Sequence, residues 1–296
     1  PDVLECRDLC LVAERIEGLR DIVALYDVIL CDVWGVVHNG ETAFLEACAA
    51  LKAAREAGLT VVLITNSPRR SDGVVRQFAR IGVPDGTFDA IVSSGDVTRK
   101  LIEAQGPKKV YLIGPERDWA LVEGLPVTSV AMDAAEVIVC TGLFDDESET
   151  PEQYRPQLEA LRARDLTMIC ANPDQKVERG TRMIYCAGSL AEMYKRMGGR
   201  TLVAGKPHPP IYAASLAAAE AIRGAFARER VLAIGDGLPT DVRGAVAQGL
   251  DLLYISGGIH AADYAPAGGE GTDVDALELF LARHSVAPRW WMHRLA

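Results

Sequence analysis

Short apolar runs of strand length, each followed by a stretch whose apolar residues fall at helical spacing, recur along this chain, and that alternation points to a parallel α/β sheet. The first run, Tyr26-Asp27-Val28-Ile29-Leu30-Cys31, ends at Asp32, with Gly35 just beyond. A helix is expected from Ala43 to Ala57, closed by Gly58, then a strand from Thr60 to Ile64. A Thr-Asn-Ser-Pro loop follows, and a helix from Ser71 to Ile81 closed by Gly82. The alternation returns late in the chain, with a helix from about Pro210 to Ala227, a strand over 230–235, a helix from Asp241 to Gln248 and a strand over 251–256.

Between these blocks lie further strand candidates at 109–114, 136–142 and 166–171, separated by helical stretches such as Glu152 to Arg164. They suffice for a second α/β unit inserted into the first. Residues 1–99 and 187–296 are expected to form the core and 100–186 the insert. Apolar positions such as Leu9, Leu11, Val12, Ile16, Leu19 and Ile22 suggest an N-terminal helical extension over 1–25. The 296 residues suit two cores, since single cores stop growing at roughly 250–300 residues. The tail Arg289-Trp290-Trp291 reads as a packing or homodimer contact rather than a ligand site.

Charge narrows the partners. With 41 acidic against 31 basic residues the net charge is -10, which speaks against general nucleic-acid binding, a role that needs a basic face. No apolar run reaches the roughly 20 residues of a membrane span, and the first residues lack a signal-peptide pattern, so a soluble cytoplasmic protein is expected. The seven cysteines form no Cys-x-x-Cys pair, and reduced thiols are expected rather than disulfides or a zinc site.

Four short signatures sit just past apolar strands, where open α/β sheets place their ligands. Asp32-Val33-Trp34-Gly35-Val36 offers a carboxylate that can attack phosphorus. Thr65-Asn66-Ser67 offers a hydroxyl and loop amides to phosphate oxygens. Gly205-Lys206-Pro207 offers a cation that can neutralise both nucleophile and phosphate. Gly235-Asp236-Gly237-Leu238-Pro239-Thr240-Asp241 places two carboxylates around a turn, hard oxygen ligands that suit Mg²⁺. Each has a plain structural explanation when taken alone: a strand-ending turn, a loop turn, an exposed lysine, a helix cap. Their occurrence together and in order points to chemistry.

The order Asp-x-x-Gly-Val, Thr-Asn, Gly-Lys-Pro and Gly-Asp-x-x-x-Thr-Asp resembles the haloacid dehalogenase-like hydrolases, and the late insertion resembles their class IIA, the NagD-like and 4-nitrophenylphosphatase-like branch. Ala171-Asn172-Pro173-Asp174, Cys186-Ala187-Gly188-Ser189-Leu190 and Val203-Ala204-Gly205-Lys206-Pro207-His208-Pro209 fit that branch, and the likeness spans roughly 26–262. It implies a Rossmann-like parallel-sheet core with an inserted α/β cap that closes over the site and reads the leaving group. It also implies a Mg²⁺-dependent phosphatase acting on a small phosphorylated metabolite through an aspartyl phosphate. By that resemblance Asp32 is the nucleophile, Thr65 and Asn66 bind the phosphoryl group, and Lys206 stabilises its charge. Asp32, Asp236, Asp241 and the backbone carbonyl of Trp34 would hold the metal. Ser67 and the turn at Asn172 are the further substrate-binding candidates, and Arg117 is a hint of leaving-group contact.

One position departs from the pattern. The family's phosphatases carry an acid/base Asp two residues past the nucleophile, and here that residue is Trp34, whose indole cannot transfer protons at neutral pH. A positioned acid or base contributes about 10²- to 10⁴-fold, so slow turnover is expected. His38 is the candidate replacement, on a loop expected to run close to the site. The competing expectation is a catalytically silent phosphate-ligand sensor on the same scaffold, and a third makes the chain an interaction module using its tryptophan tail.

Overall fold

The computed structural model describes residues 13–266 and 271–296. In chain order its elements are β1 (Glu14–Arg15), β2 (Val28–Asp32), α1 (Leu45–Glu56), β3 (Thr60–Thr65), α2 (Ser71–Ile81), β4 (Ala90–Ser93), α3 (Ser94–Ala104), β5 (Lys108–Ile113), β6 (Val127–Ser129) and β7 (Val137–Cys140). There follow α4 (Arg155–Ala163), β8 (Thr167–Cys170), β9 (Lys176–Arg179), β10 (Arg182–Tyr185), α5 (Ala187–Arg196) and β11 (Arg200–Val203). The chain ends with α6 (Pro209–Arg223), β12 (Val231–Gly235), α7 (Arg243–Gln248), β13 (Asp251–Ile255), α8 (Val274–Arg283) and β14 (Trp290–Met292).

A seven-stranded sheet in the order β1-β14-β13-β12-β2-β3-β4 is parallel throughout. Its central strands are buried on both faces, which is why they read as unbroken apolar runs rather than alternating ones. Successive residues serve opposite layers. Ile29, Cys31, Val61 and Leu63 pack toward α1 and α2, while Val28, Leu30, Val62 and Ile64 pack toward α6. Strand order reverses between β2 and β12, so the carboxyl ends of those two strands flank the crevice where such sheets bind ligands.

A second parallel sheet, β11-β8-β7-β5-β6, carries α4 and α5 on one face, and α3 supplies Ile102 to the other. The antiparallel hairpin β9–β10 projects from it. The expected return to the core near 186 is too early. Helix α5 packs with Leu190, Ala191 and Tyr194 into the second core, and β11 pairs with β8, so the second sheet is completed only at Val203. An apolar strand and an amphipathic helix are common to both units, and nothing in the pattern of 187–203 states which sheet they join. Lys206 therefore follows a strand of the second sheet, not a core strand as expected.

The N-terminal segment also differs. Residues 13–25 form the two-residue strand β1 and two short 3-10 turns rather than a helix, while the rest of the expected helix, including Leu9, Leu11 and Val12, lies outside the described residues. Ile16, Leu19 and Ile22 are buried as anticipated, but as anchors of an irregular stretch that runs along the sheet. The tail resolves toward packing: Trp290 and Trp291 are buried in β14, and the Trp290 indole donates to the Tyr26 hydroxyl at 2.8 Å. Cys31, Cys48, Cys140, Cys170 and Cys186 are free and buried, whereas Cys6 and Cys10 lie outside the described residues. Among the described residues no helix is long and apolar enough to cross a membrane.

Candidate active site

Asp32 ends β2, Asp236 directly follows β12, and Asp241 lies on a π-helical turn, Leu238–Val242, that leads into α7. The three carboxylates are buried and present oxygens within 4.8 Å of one another, close enough to share one divalent cation. Glycine makes the room. At Gly35 (φ +84) and Gly258 a Cβ would run into the Asp236 carboxylate, and at Gly235 into Asp241.

Lys206 reaches this cluster from the loop after β11. Its Nζ donates to Asp32 Oδ1 at 2.5 Å and to Asp241 Oδ1 at 2.7 Å. Burial alone would discharge the ammonium, but Asp241, Asp32 and Asp174 outweigh it and hold its pKa well above the usual lysine value. Burial, with Asp241 close by, pushes Asp32 well above the ordinary carboxylate range and Asp236 up to about 7. Such a crowd of carboxylates around one ammonium is what a bound cation would relieve. Backbone donors also hold the carboxylates in place: Val33 N–H to Asp32 at 2.7 Å, Ile259 N–H to Asp236 at 2.8 Å and Gly237 N–H to Asp241 at 3.1 Å.

Thr65 at the end of β3 is buried, with Oγ1 accepting the Ser67 N–H at 3.2 Å, and both line the same cavity as Asp32. Asn66 lines it too, but its side chain is already committed: Oδ1 accepts the Lys206 N–H at 2.7 Å, and Nδ2 donates to Asp174 at 2.8 Å. Its side chain thereby ties the lysine loop to the second unit. Asn172 Oδ1 accepts the Asp174 N–H at 3.0 Å, so this cavity-lining residue shapes the turn that presents Asp174.

Asp174 is the residue that the sequence signatures passed over. It belongs to the quoted Ala-Asn-Pro-Asp segment, yet nothing in its spacing from Asp32 announces that it lines the same cavity. Burial raises its pKa, with Lys206 and Asn66 acting against the rise.

His38 sits on a loop that runs beside the site, as expected, but its side chain does not enter the cavity. It is 1% exposed, and its Nδ1 accepts the Gly40 N–H at 2.8 Å. Its ring lies edge-on against Trp34, centroids 4.9 Å apart, and against Phe78 at 5.8 Å. Burial lowers its pKa to about 4, so it is a neutral support behind Trp34 rather than a proton shuttle. Trp34 itself lines the cavity, and its indole N–H donates to the Glu178 carbonyl on β9. Beside it the Gly180 N–H donates to the Asn39 carbonyl at 3.2 Å. The loop that follows the candidate nucleophile is thus fastened to the hairpin.

The cavity onto which Asp32, Lys206, Asp236 and Asp241 open has a volume of about 1180 Å³ and lies between the two sheets. Comparison with known proteins bears on it directly. A model described as haloacid dehalogenase-like hydrolase matches residues 29–127, and one described as HAD-hydrolase-like matches 203–276. A crystal structure of a hydrolase of the haloacid dehalogenase-like family from Brucella suis is 53% identical, covers 95% of this chain and 100% of its own, and superposes with a TM-score of 0.85. Ribonucleotide monophosphatase NagD of Escherichia coli is 26% identical over 244 residues, covering 79% of this chain and 89% of its own. D-glycerol 3-phosphate phosphatase of Mycobacterium tuberculosis is 26% identical over 265 residues, covering 82% and 67%. The matches embrace both the segment that carries Asp32 and the one that carries Lys206, Asp236 and Asp241, with the second sheet inserted between the Thr-Asn and Gly-Lys-Pro loops, and the chain belongs to the haloacid dehalogenase-like hydrolases, in their class IIA branch.

Proposed function

We propose that this chain hydrolyses phosphate monoesters of small metabolites, with Asp32 as nucleophile. One observation carries the reading: Asp32 and, more than a hundred residues further along the chain, Lys206, Asp236 and Asp241 converge in one buried cluster that opens on the cavity. The names of two relatives, a ribonucleotide monophosphatase and a glycerol 3-phosphate phosphatase, support the same chemistry on different leaving groups.

The residues divide the work as follows. Lys206 offsets charge on Asp32 and on the incoming phosphoryl oxygens. Thr65 and Ser67 hold those oxygens at the mouth of β3. Asp32, Asp236, Asp241 and the carbonyl of Trp34 would hold Mg²⁺, which when bound neutralises phosphoryl charge. An oxygen of Asp32 attacks phosphorus while the bond to the alkoxide breaks, leaving an aspartyl phosphate that water then hydrolyses. The departing oxygen needs a proton that Trp34 cannot give. We assign that transfer to Asp174, a cavity-lining carboxyl that burial holds toward its protonated form and whose charge Lys206 and Asp236 feel. After departure its carboxylate takes a proton from the attacking water.

The test is turnover of a panel of phosphate monoesters with Mg²⁺ by the wild type and by Asp32→Asn. Phosphate release by the wild type alone, with the label from quenched ³²P-substrate on Asp32, is expected. Tight binding of the same compounds by the wild type without any product would instead assign the chain to the sensor reading.

A further inference from the structure

The second sheet has a switch point of its own. Its strand order reverses between β5 and β7, and parallel sheets leave a crevice outside the carboxyl ends of such a pair. Strand β5 runs out into Gly114-Pro115-Glu116-Arg117-Asp118 and β7 into Thr141-Gly142, with Asp146 four residues further on. All but Gly114 and Glu116 of these line the cavity that also holds Asp32.

Three features of this crevice are unexplained by the hydrolytic machinery. Thr141 is 5% exposed, yet its hydroxyl has no hydrogen-bond partner, which is costly for a buried polar group. Gly114, at φ +146, is what leaves space for that hydroxyl, since a Cβ there would collide with it. Next, two guanidiniums converge on a single oxygen of Asp146, that of Arg117 and that of Arg179 from the hairpin at 3.0 Å. Glu147 and Arg182, both more than half exposed, extend this ion-pair network to three guanidiniums and two carboxylates, with Asp118 and Asp145 also within electrostatic reach of Arg117. Finally, Arg69 starts four residues beyond Thr65 and its guanidinium reaches Asp118 at 3.3 Å, so one side chain spans from the phosphate loop to the crevice. A small molecule can span the same gap.

We propose that this crevice is a second anion subsite, which takes a carboxylate or a second phosphate at the far end of the phosphorylated substrate, with Arg117 and Arg179 as its cations and Thr141 as its neutral donor. Guanidinium forks suit either oxyanion, and the hydroxyl gains the partner it lacks. The substrate class that follows is a metabolite with a phosphate ester at one end and an anionic group at the other. This deepens the phosphatase reading and rests on it only in calling the ligand a substrate.

The experiment separates the two. Phosphonate analogues of graded chain length, ending in a hydroxyl, a carboxylate or a second phosphonate, are titrated calorimetrically into the wild type with Mg²⁺. The corresponding phosphate esters are assayed for turnover. An anionic end is expected to tighten binding at least about tenfold over the hydroxyl end, and the tighter of the two anions identifies the class. In Arg179→Gln and Arg117→Gln that ratio should fall to near one. Thr141→Val should cut it by about threefold without lowering the melting temperature, because removing an unpartnered buried hydroxyl costs the fold nothing. Equal affinity for hydroxyl and anionic ends in the wild type, or variants that weaken every ligand in parallel, would overturn the subsite. Discrimination without any turnover would retain the subsite and sink the phosphatase reading, and turnover without discrimination would do the reverse.

Discussion

Replacing His38 with phenylalanine separates a buried support from a proton shuttle by thermodynamics alone. In the folded chain His38 is held neutral, with a pKa of about 4 against an ordinary 6.5, chiefly by burial. The unfolded chain takes up its proton near 6.5 and the folded chain only near 4. Between those values acid favours the unfolded state, so the wild type is at full stability above about pH 6.5 and loses it as the pH falls toward 4. At about 1.4 kcal/mol per pH unit the loss from this one group amounts to about 3 kcal/mol. Phenylalanine keeps the edge contacts to Trp34 and Phe78 but cannot accept the Gly40 N–H, a cost of about 1 kcal/mol at neutral pH. Urea unfolding at a series of pH values from about 8 to about 4 should therefore show two curves that cross: the variant weaker at the alkaline end and stronger, by about 2 kcal/mol, at the acid end. The difference between the curves cancels every other titrating group that the two proteins share. Parallel curves would refute the reasoning, and a large fall in kcat with parallel curves would return His38 to the chemistry.

Three further outcomes are expected. Asp174→Asn should lower kcat by about 10²- to 10⁴-fold with little change in KM, measured by phosphate release; an unchanged kcat removes Asp174 as proton carrier. Lys206→Met strands Asp32 and Asp241 without their cation and should cost about 3–5 kcal/mol in metal-free thermal or urea unfolding, with part recovered on adding Mg²⁺; a loss below about 1 kcal/mol contradicts the buried pair. Trp34→Phe keeps the ring but not the N–H that meets the Glu178 carbonyl, and should speed amide exchange across 176–185 by about fivefold, a loss of about 1 kcal/mol; unaltered exchange there would show that the fastening has no consequence.

The parts of this fold legible in the sequence are those whose signal is local. β2, β3, β12 and β13 are buried on both faces and betray themselves as apolar runs, and the carboxyl ends of such strands are where ligands lie, so Asp32, Thr65 and Asp236 could be found by reading along the chain. What escaped depends on partners distant in sequence. Residues 13–25 have helically spaced apolar side chains, but Glu14 and Ile16 bond to the backbone of Arg289 and Trp291, and a strand partner at the other end of the chain overrides local spacing. The allegiance of β11 to the second sheet is decided by pairing with β8, which no pattern in Arg200–Val203 records. His38 and Asn66 sit in the right loops, and what the sequence could not show is the direction of their side chains, toward Gly40 and toward Lys206 with Asp174. Asp174 needed the opposite information, that a turn in the inserted unit folds back onto the phosphate loop.

The fastening of Trp34 and Asn39 to the hairpin ties the backbone just past Asp32 to the far side of the cavity. If the hairpin must swing aside for a molecule to enter or leave, the first bonds to break begin two residues from Asp32, the nucleophile we propose, and the recoil is delivered there. Entry rate and nucleophile alignment are then not independent variables that mutation can adjust one at a time. A looser gate comes with a looser Asp32, and a selection experiment for faster exchange would be expected to find its solutions on the far side of the hairpin, away from the loop that does both jobs.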